Sequence, residues 1–217
     1  MHALFIADIH GASRELDRLP AADVLLIGGD LTQFGTAAQA MALIDRLAAR
    51  YPQVAAVAGN CDAAETDAAL TRQGSGIHLA CRDYGSWRAC GIGGCNRTPF
   101  HTPYEWDEEA MAHDLAVLAD TLLEGKTPLV LVTHAPPLGC GADRLPNGTH
   151  VGSRAVAEFA RRVRPALVLC GHIHEAVGRF EWEGIPVLNP GPLARGGLVT
   201  FSLPELMPTL GSLPVPD

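Results

Sequence analysis

The sequence contains no apolar run near the roughly 20 residues that cross a bilayer, and no basic N-terminal segment leads into a long apolar stretch. Asp8 interrupts the one candidate, Leu4-Phe5-Ile6-Ala7, so neither a spanning helix nor a signal peptide is expected, and no membrane partner. Cations are also scarce. Sixteen Lys and Arg stand against 24 Asp and Glu, a formal net charge of -8. Affinity for a nucleic-acid backbone comes from neutralising its phosphates, which this balance disfavours, although a local cation site could still attract one phosphate group. The six cysteines, at 61, 81, 90, 95, 140 and 170, include no Cys-x-x-Cys pair and lack the density of a disulfide scaffold. Free thiols in a reducing cytoplasm are the expectation. With no internal repeat and no linker, residues 1–202 are expected to form a single domain, long enough to bury a core without staples. The segment 203–217 holds four prolines and no period. It is expected to be a tail, disordered or packed on the surface, and whether it mediates self-association into a homodimer stays open.

What the chain does have is a set of short apolar runs that break at a polar residue. Ala166-Leu167-Val168-Leu169-Cys170-Gly171 delivers His172 and His174, which leave a strand end on the same side because side chains alternate with period two. Four other runs share the design. Leu4-Phe5-Ile6-Ala7 ends in Asp8 and His10, Val24-Leu25-Leu26-Ile27-Gly28-Gly29 in Asp30, Val54-Ala55-Ala56-Val57-Ala58-Gly59 in Asn60, and Leu129-Val130-Leu131-Val132-Thr133 in His134. Each residue alone has a plainer role: Asp8 and Asp30 as turn formers, Asp62 as a helix cap, His134 as a partner of its own turn. Those roles leave the joint arrangement without a cause. His2, His78 and His113 are assigned to the surface.

Between the runs, Thr36 and Gln39 read as a capping box, followed by Ala40, Leu43, Ile44, Leu47 and Ala48 at helical spacing until Tyr51-Pro52. Asp62 to Glu65 could cap a helix that Gly74 closes. Residues 77–93 read as a hairpin and 93–103 as loop, because paired glycines and two prolines suit no element interior. A further helix opens with Glu105, Asp107, Glu108 and Glu109 and carries a buried stripe toward Gly125; another is capped by Ser153. Segments 177–182, 185–188 and 197–202 alternate as antiparallel strands. Helices between the early strands imply a largely parallel sheet, and the hairpins imply a second set of pairings. The expected fold is α/β: a four-layer α-β-β-α sandwich of two mixed sheets with flanking helices, its site at the strand carboxyl ends.

Asp8-x-His10, Gly29-Asp30, Gly59-Asn60-x-Asp62, His134 and Gly171-His172-x-His174 occur in the order that marks the calcineurin-like metallophosphoesterases, and the chain resembles that superfamily along nearly its whole length. Gly93-Gly94-Cys95-Asn96-Arg97-Thr98-Pro99-Phe100, the Asn60-Cys61-Asp62 variant and the Asn189-Pro190-Gly191-Pro192 turn resemble a small prokaryotic branch of it. The resemblance implies two divalent metal ions bridged by Asp30, with Asp8, His10 and His174 completing one site and Asn60, His134 and His172 the other. Oxygen and imidazole donors without thiolate suit Mn, Fe, Zn, Co or Ni, and Mn is favoured. Ions roughly 3.5–4 Å apart would make a hydroxide and offset charge on the phosphoryl oxygens. The implied activity is that of a phosphodiesterase acting on small or nucleotide-like phosphate esters, with Asp30, Asn60, Cys61 and Asp62 as its catalytic residues.

Cys61 departs from the pattern. Relatives usually place a histidine there as proton donor to the leaving group, and a thiol with an ordinary pKa near 8.5 is a poorer donor than imidazolium. Esters with good leaving groups, such as aryl phosphodiesters, are therefore the expected substrates, unless His101 or His150 supplies the proton from a loop. Asn96, Arg97 and His101 are the candidate substrate contacts, with Arg14 and Arg195 as further positions. A nuclease is the rival enzyme, and the acidic balance counts against it. A protein phosphatase is disfavoured because Asp30-Leu31-Thr32-Gln33-Phe34-Gly35 lacks the arginine of that motif. A non-catalytic scaffold, like the retromer subunit of this fold, would have a degraded ligand set.

Overall fold

In a computed structural model, described for residues 1–122, 127–203 and 205–213, the apolar runs are strands. The first half holds β1 (His2–Ile6), α1 (Ser13–Asp17), β2 (Val24–Gly28), α2 (Ala37–Ala48), β3 (Gln53–Val57) and α3 (Thr66–Gln73). Next come β4 (Cys81–Asp83), β5 (Arg88–Ile92), β6 (Cys95–Asn96), β7 (Glu105–Trp106), α4 (Glu108–Leu122), β8 (Leu129–Thr133) and α5 (Arg154–Val163). The chain finishes with β9 (Leu167–Cys170), β10 (Gly178–Trp182), β11 (Ile185–Asn189), β12 (Gly197–Ser202) and β13 (Thr209–Ser212). One mixed sheet runs β13-β12-β1-β2-β3 and a second runs β10-β11-β9-β8-β5-β4. No helix among the described residues is long and apolar enough to cross a membrane.

Period-two alternation sorts the core into three layers of contact. In β1, Leu4 and Ile6 face α1 and α2, where they meet Leu16, Ile44 and Leu47. Phe5 points the other way, into the seam between the sheets, beside Leu26, Trp87, Val130 and Leu169. Beyond the second sheet, Leu131 and Val168 pack on Met111 and Leu115 of α4 and on Val156 and Phe159 of α5. Full burial of each such side chain is worth about 1.5–3 kcal/mol, so helix, sheet, sheet and helix are held as four layers.

The capping box of α2 is present, with Gln39 N donating to Thr36 Oγ1 at 3.3 Å and Thr36 N to Gln39 Oε1 at 2.8 Å. Ser153 caps α5 through Val156 N at 3.1 Å. Four expectations are corrected. The tail segment supplies β13, antiparallel to β12, with Pro208 just outside the ladder, where a missing N–H costs nothing; residues 204 and 214–217 of that tail lie outside the described residues. The 93–103 loop contains β6, paired in parallel with β7, so α4 opens at Glu108 and Glu105 is not in its first turn. Its expected end at Gly125 lies outside the described residues. Finally, Asp62 does not cap α3, whose N-cap Glu65 makes no side-chain capping bond.

Candidate metal centre

Strands β1, β2 and β3 run parallel in one sheet and β8 and β9 run parallel in the other. Their carboxyl ends meet at the seam, and each releases its polar residues there. Asp8 N donates to Gly29 O at 3.1 Å and His10 N to Asp30 O at 2.8 Å, which locks the first two strand exits together. Asp8, His10, Asp30 and His172 all sit at positive φ, 51°, 45°, 50° and 69°. Asp and His enter this region more readily than most residues, yet four such residues at one seam are a concentrated backbone strain of the kind that clusters at functional sites. Close approach also demands glycine at 59. A Cβ there would lie 2.1 Å from Asp30 Oδ1.

Three groups of donor atoms lie within 4.8 Å of one another: Asp8, His10 and His174; Asp8, Asp30 and His134; and His10, Asp30 and Cys61. His10 Nε2 and His134 Nε2 each stand 3.5 Å from Asp30 Oδ2, and His174 Nε2 stands 3.4 Å from Asp8 Oδ1. Asn60 Oδ1 is 2.8 Å from His134 Nε2. The His172 ring lies against the His134 ring, centroids 5.0 Å apart, while its backbone N–H donates to both oxygens of Asp8 at 3.1 Å. Asp8, His10, Asp30, Asn60, His134, His172 and His174 thus share one locus.

The charges are mutually dependent. Burial alone would raise the Asp8 carboxyl, but the bond from His174 and the field of His134 hold it below the ordinary value. Burial, with Asp8 and Asp62 nearby, pushes Asp30 up against the pull of His134. His134 is raised because Asp30 and Asp8 outweigh its burial. Burial, aided by the neighbouring His134, lowers His172 to about 3, leaving it a neutral imidazole.

A divalent cation fits this donor set. His134 Nδ1 faces the carbonyl of Gly28 at 2.8 Å, so Nδ1 carries a proton and Nε2 is the ring atom turned to the centre, where a cation could take the place of a second proton. Asn60 Nδ2 donates to Thr102 Oγ1 at 3.0 Å, which fixes its Oδ1 as the atom turned to His134. His134 Nε2 and Asn60 Oδ1, 2.8 Å apart, are bridged by a proton on Nε2 or, in its place, by a shared cation, since two ligands of one ion with bonds of about 2.1 Å at right angles stand roughly 3 Å apart. His10 Nε2 and His174 Nε2, 3.3 Å apart, pose the same requirement. Cys61 Sγ lies closer to this set than the sequence suggests, but burial and the charge of Asp30 raise its pKa, so it remains a thiol.

Asp62, fully buried, accepts from Leu31 N (3.0 Å), Thr32 N (2.8 Å), Thr32 Oγ1 (2.7 Å) and Gly59 N (2.9 Å). It ties the Asp30 turn to the Asn60 turn. Cys61 N in turn donates to Asp30 Oδ1 at 2.8 Å. His78 is also corrected: its side chain is 13% exposed and lies 3.4 Å from Asp67, because Gly93 N donates to its Nδ1 at 2.9 Å. Burial lowers His78 and raises Asp67. His2 and His113 are exposed.

A cleft of about 610 Å³ opens beside the ligands, lined by Asn60, His172 and His174 on one side and by Asn96, Arg97 and Phe100 on another. Asn96 Nδ2 bonds Val151 O at 3.3 Å, joining two of the cleft's loops. His101 is exposed and does not line the cleft, since the next residue, Thr102, is drawn inward to Asn60 and Glu105. Arg14 and Arg195 are exposed and line it no more than His101 does. Thr102 and Glu105 are site-supporting residues that no local pattern reveals. Glu105 accepts from Thr98 and Thr102 side chains and backbones, and those bonds outweigh its slight burial and lower it to about 2.

Fold and site together define a two-sheet α/β sandwich built to hold divalent cations at its seam. The family model described as calcineurin-like phosphoesterase matches residues 1–176, a span that contains every candidate ligand. The protein MJ1162 of Methanocaldococcus jannaschii is 34% identical over 204 residues, covering 88% of this chain and 88% of its own. Among solved structures, TT1561 of Thermus thermophilus is similar with a TM-score of 0.73 at 19% identity, covering 98% of this chain and 99% of its own. A dimetal phosphatase from Danio rerio is similar with a TM-score of 0.63 at 14% identity, covering 99% of each chain; at such identities both speak for the fold alone. The chain belongs to the calcineurin-like phosphoesterase family, and its chemistry is that of a metal-dependent phosphoester hydrolase.

Proposed function

We propose that this chain is a phosphodiesterase of small or nucleotide-like phosphate esters, working with two divalent cations, Mn preferred, and bridged by Asp30. The convergence of Asp8, His10, Asp30, His134 and His174 donor atoms at one seam, with His134 Nε2 and Asn60 Oδ1 2.8 Å apart, is the observation that carries it. Bound ions would acidify a water and offset charge on the phosphoryl oxygens. The chain's own groups hold that centre in place: Gly28 O sets the His134 tautomer, Thr102 the Asn60 amide, and the His172 backbone N–H the Asp8 carboxylate.

The cleft supports the ester type. Arg97, which stands 3.7 Å from Asp107, and Glu175 both line it, and with two cations proposed beside them it is the cleft's apolar side that bears on a second ester substituent. Phe100, 81% exposed, with Leu145, Val151 and Ile173, offers an apolar wall for an aryl group or a base. The intact ligand locus favours catalysis over a scaffold, and the net charge of -8 disfavours a nuclease. Calorimetric titration of Mn into chelated protein should give two ions per chain, falling toward one in Asp30→Asn, and the loaded protein should hydrolyse bis(p-nitrophenyl) phosphate. An Asp30→Asn variant that keeps both ions and full turnover refutes the reading.

A further inference from the structure

We propose that His150, held by Asp143, is the proton donor to the leaving group, the role that Cys61 is unfit to fill. The inference rests on the phosphoesterase reading of the neighbouring centre. Asp143 is fully buried and ligates no candidate cation. It accepts from Gly139 N at 2.8 Å, Gly141 N at 3.1 Å, Gly152 N at 3.3 Å and His150 Nδ1 at 2.8 Å. Three backbone N–H groups already satisfy a loop clamp, and the same loop is closed again by Leu145 N to Thr149 O at 2.9 Å. The imidazole is therefore surplus to loop closure. An acceptor-only carboxylate on Nδ1 holds a proton on that nitrogen, orients the ring and leaves Nε2 as the ring atom free to exchange a proton with another partner.

The side chain is 41% exposed, and His150 is one of the residues that line the cleft with Asn60, His172 and His174. The other ionisable groups around it are Arg97 and Glu175 on the cleft wall and Arg144, whose backbone bridges to His150. Neither rival donor suits the task. His101 is outside the cleft, and Cys61, although its Sγ lies within 4.8 Å of donor atoms of His10 and Asp30, is a buried thiol that the neighbouring Asp30 carboxylate holds protonated. In the step assigned to His150, the oxygen of water forms a new bond to phosphorus and the bond from phosphorus to the leaving oxygen breaks. The electron pair of that bond stays on the leaving oxygen, which takes the proton from Nε2. His150 is left as neutral imidazole and recovers a proton from solvent, while the attacking water gives up one of its own to solvent, so that no net proton is gained or lost.

The test compares wild type and His150→Gln, both loaded with Mn, on methyl and p-nitrophenyl phosphodiesters, with metal content measured in parallel. The alkyl leaving group needs the proton and the nitrophenolate hardly does. Loss of general-acid assistance is expected to lower kcat/KM for the alkyl ester by about 10²-fold or more, with less than tenfold loss on the aryl ester, and with metal content unchanged. Equal losses on both esters, no loss, or a drop in bound metal overturns the assignment. A wild-type protein that hydrolyses neither ester overturns the phosphoesterase reading itself, and the role of His150 with it.

Discussion

Asp62→Asn separates two accounts of the carboxylate next to Cys61. As a helix cap its loss would cost about 1 kcal/mol. In the structure it is a fully buried anion that accepts four hydrogen bonds from two turns. The amide keeps the shape but turns one oxygen into an NH2. If its oxygen takes the bonds from Leu31 N and Gly59 N, the NH2 faces Thr32. The Thr32 hydroxyl reverses and accepts, but Thr32 N–H is left against a donor. Three bonds drop from charge-assisted to neutral, about 1 kcal/mol each, and one buried N–H is orphaned at a cost of about 1–3 kcal/mol, for a total of about 4–6 kcal/mol. That is a large fraction of a typical folding free energy of about 5–15 kcal/mol, and it corresponds to a fall in Tm of roughly 8–24 °C in a chain of this size. Urea unfolding of the metal-free proteins should show the lower midpoint at unchanged slope. A loss near 1 kcal/mol refutes the tie between turns and restores the cap.

Gly59→Ala should abolish metal binding, because the new Cβ would sit 2.1 Å from Asp30 Oδ1 and 2.2 Å from Asp30 N, and a backbone atom has no rotamer to escape into; wild-type affinity for Mn would show that the turn gives way. Cys61→His in the His150→Gln background should recover alkyl-ester turnover by returning an imidazole to the centre, and kinetics on the methyl diester show whether position 61 reaches the leaving oxygen. Glu105→Gln tests the acid end of stability. The folded pKa of Glu105 is depressed to about 2 by its threonine bonds, so its contribution is fully present above the unfolded value near 4.5 and is lost as pH falls through about 2. The Tm gap between wild type and variant should be open at pH 7 and close across that window; a gap independent of pH removes Glu105 as an anchor of the Thr98 to Thr102 loop.

The sheet frame was legible because its signals are local. An apolar run such as Val24 to Ile27 that stops at Gly28-Gly29-Asp30 announces a buried strand and a polar exit within seven residues. Repeated over β1, β2, β3, β8 and β9, that pattern put the ligands on strand ends before any pairing was known. Caps were legible for the same reason, since Thr36 and Gln39 are three residues apart and need no distant partner. Asp62 was misread because its partners Leu31 and Thr32 lie some thirty residues away, whereas the helix it precedes is next door. β13 failed differently. Thr209 to Ser212 has prolines near both ends and no alternation, and becomes a strand only because β12 presents an open edge.

The same distinction orders the acidic residues of the site. Asp8 and Asp30 stand where a strand ends, so position along the chain discloses them. Asp62, Asp67 and Asp143 are equally buried, but position along the chain does not disclose their partners, because each is defined by the N–H groups of loops that fold toward it; Asp62 is visible only through its motif. Their partners are the exits of β2 and β3 for Asp62, the end of β3 through Ala58 N for Asp67, and the 139–152 loop for Asp143. A buried carboxylate without such donors would take up a proton or draw in water. These three therefore act from behind the centre: they set where Asp30, Asn60 and His150 stand, and substitutions at them should alter the placement of donor atoms before they alter the chemistry of any one donor.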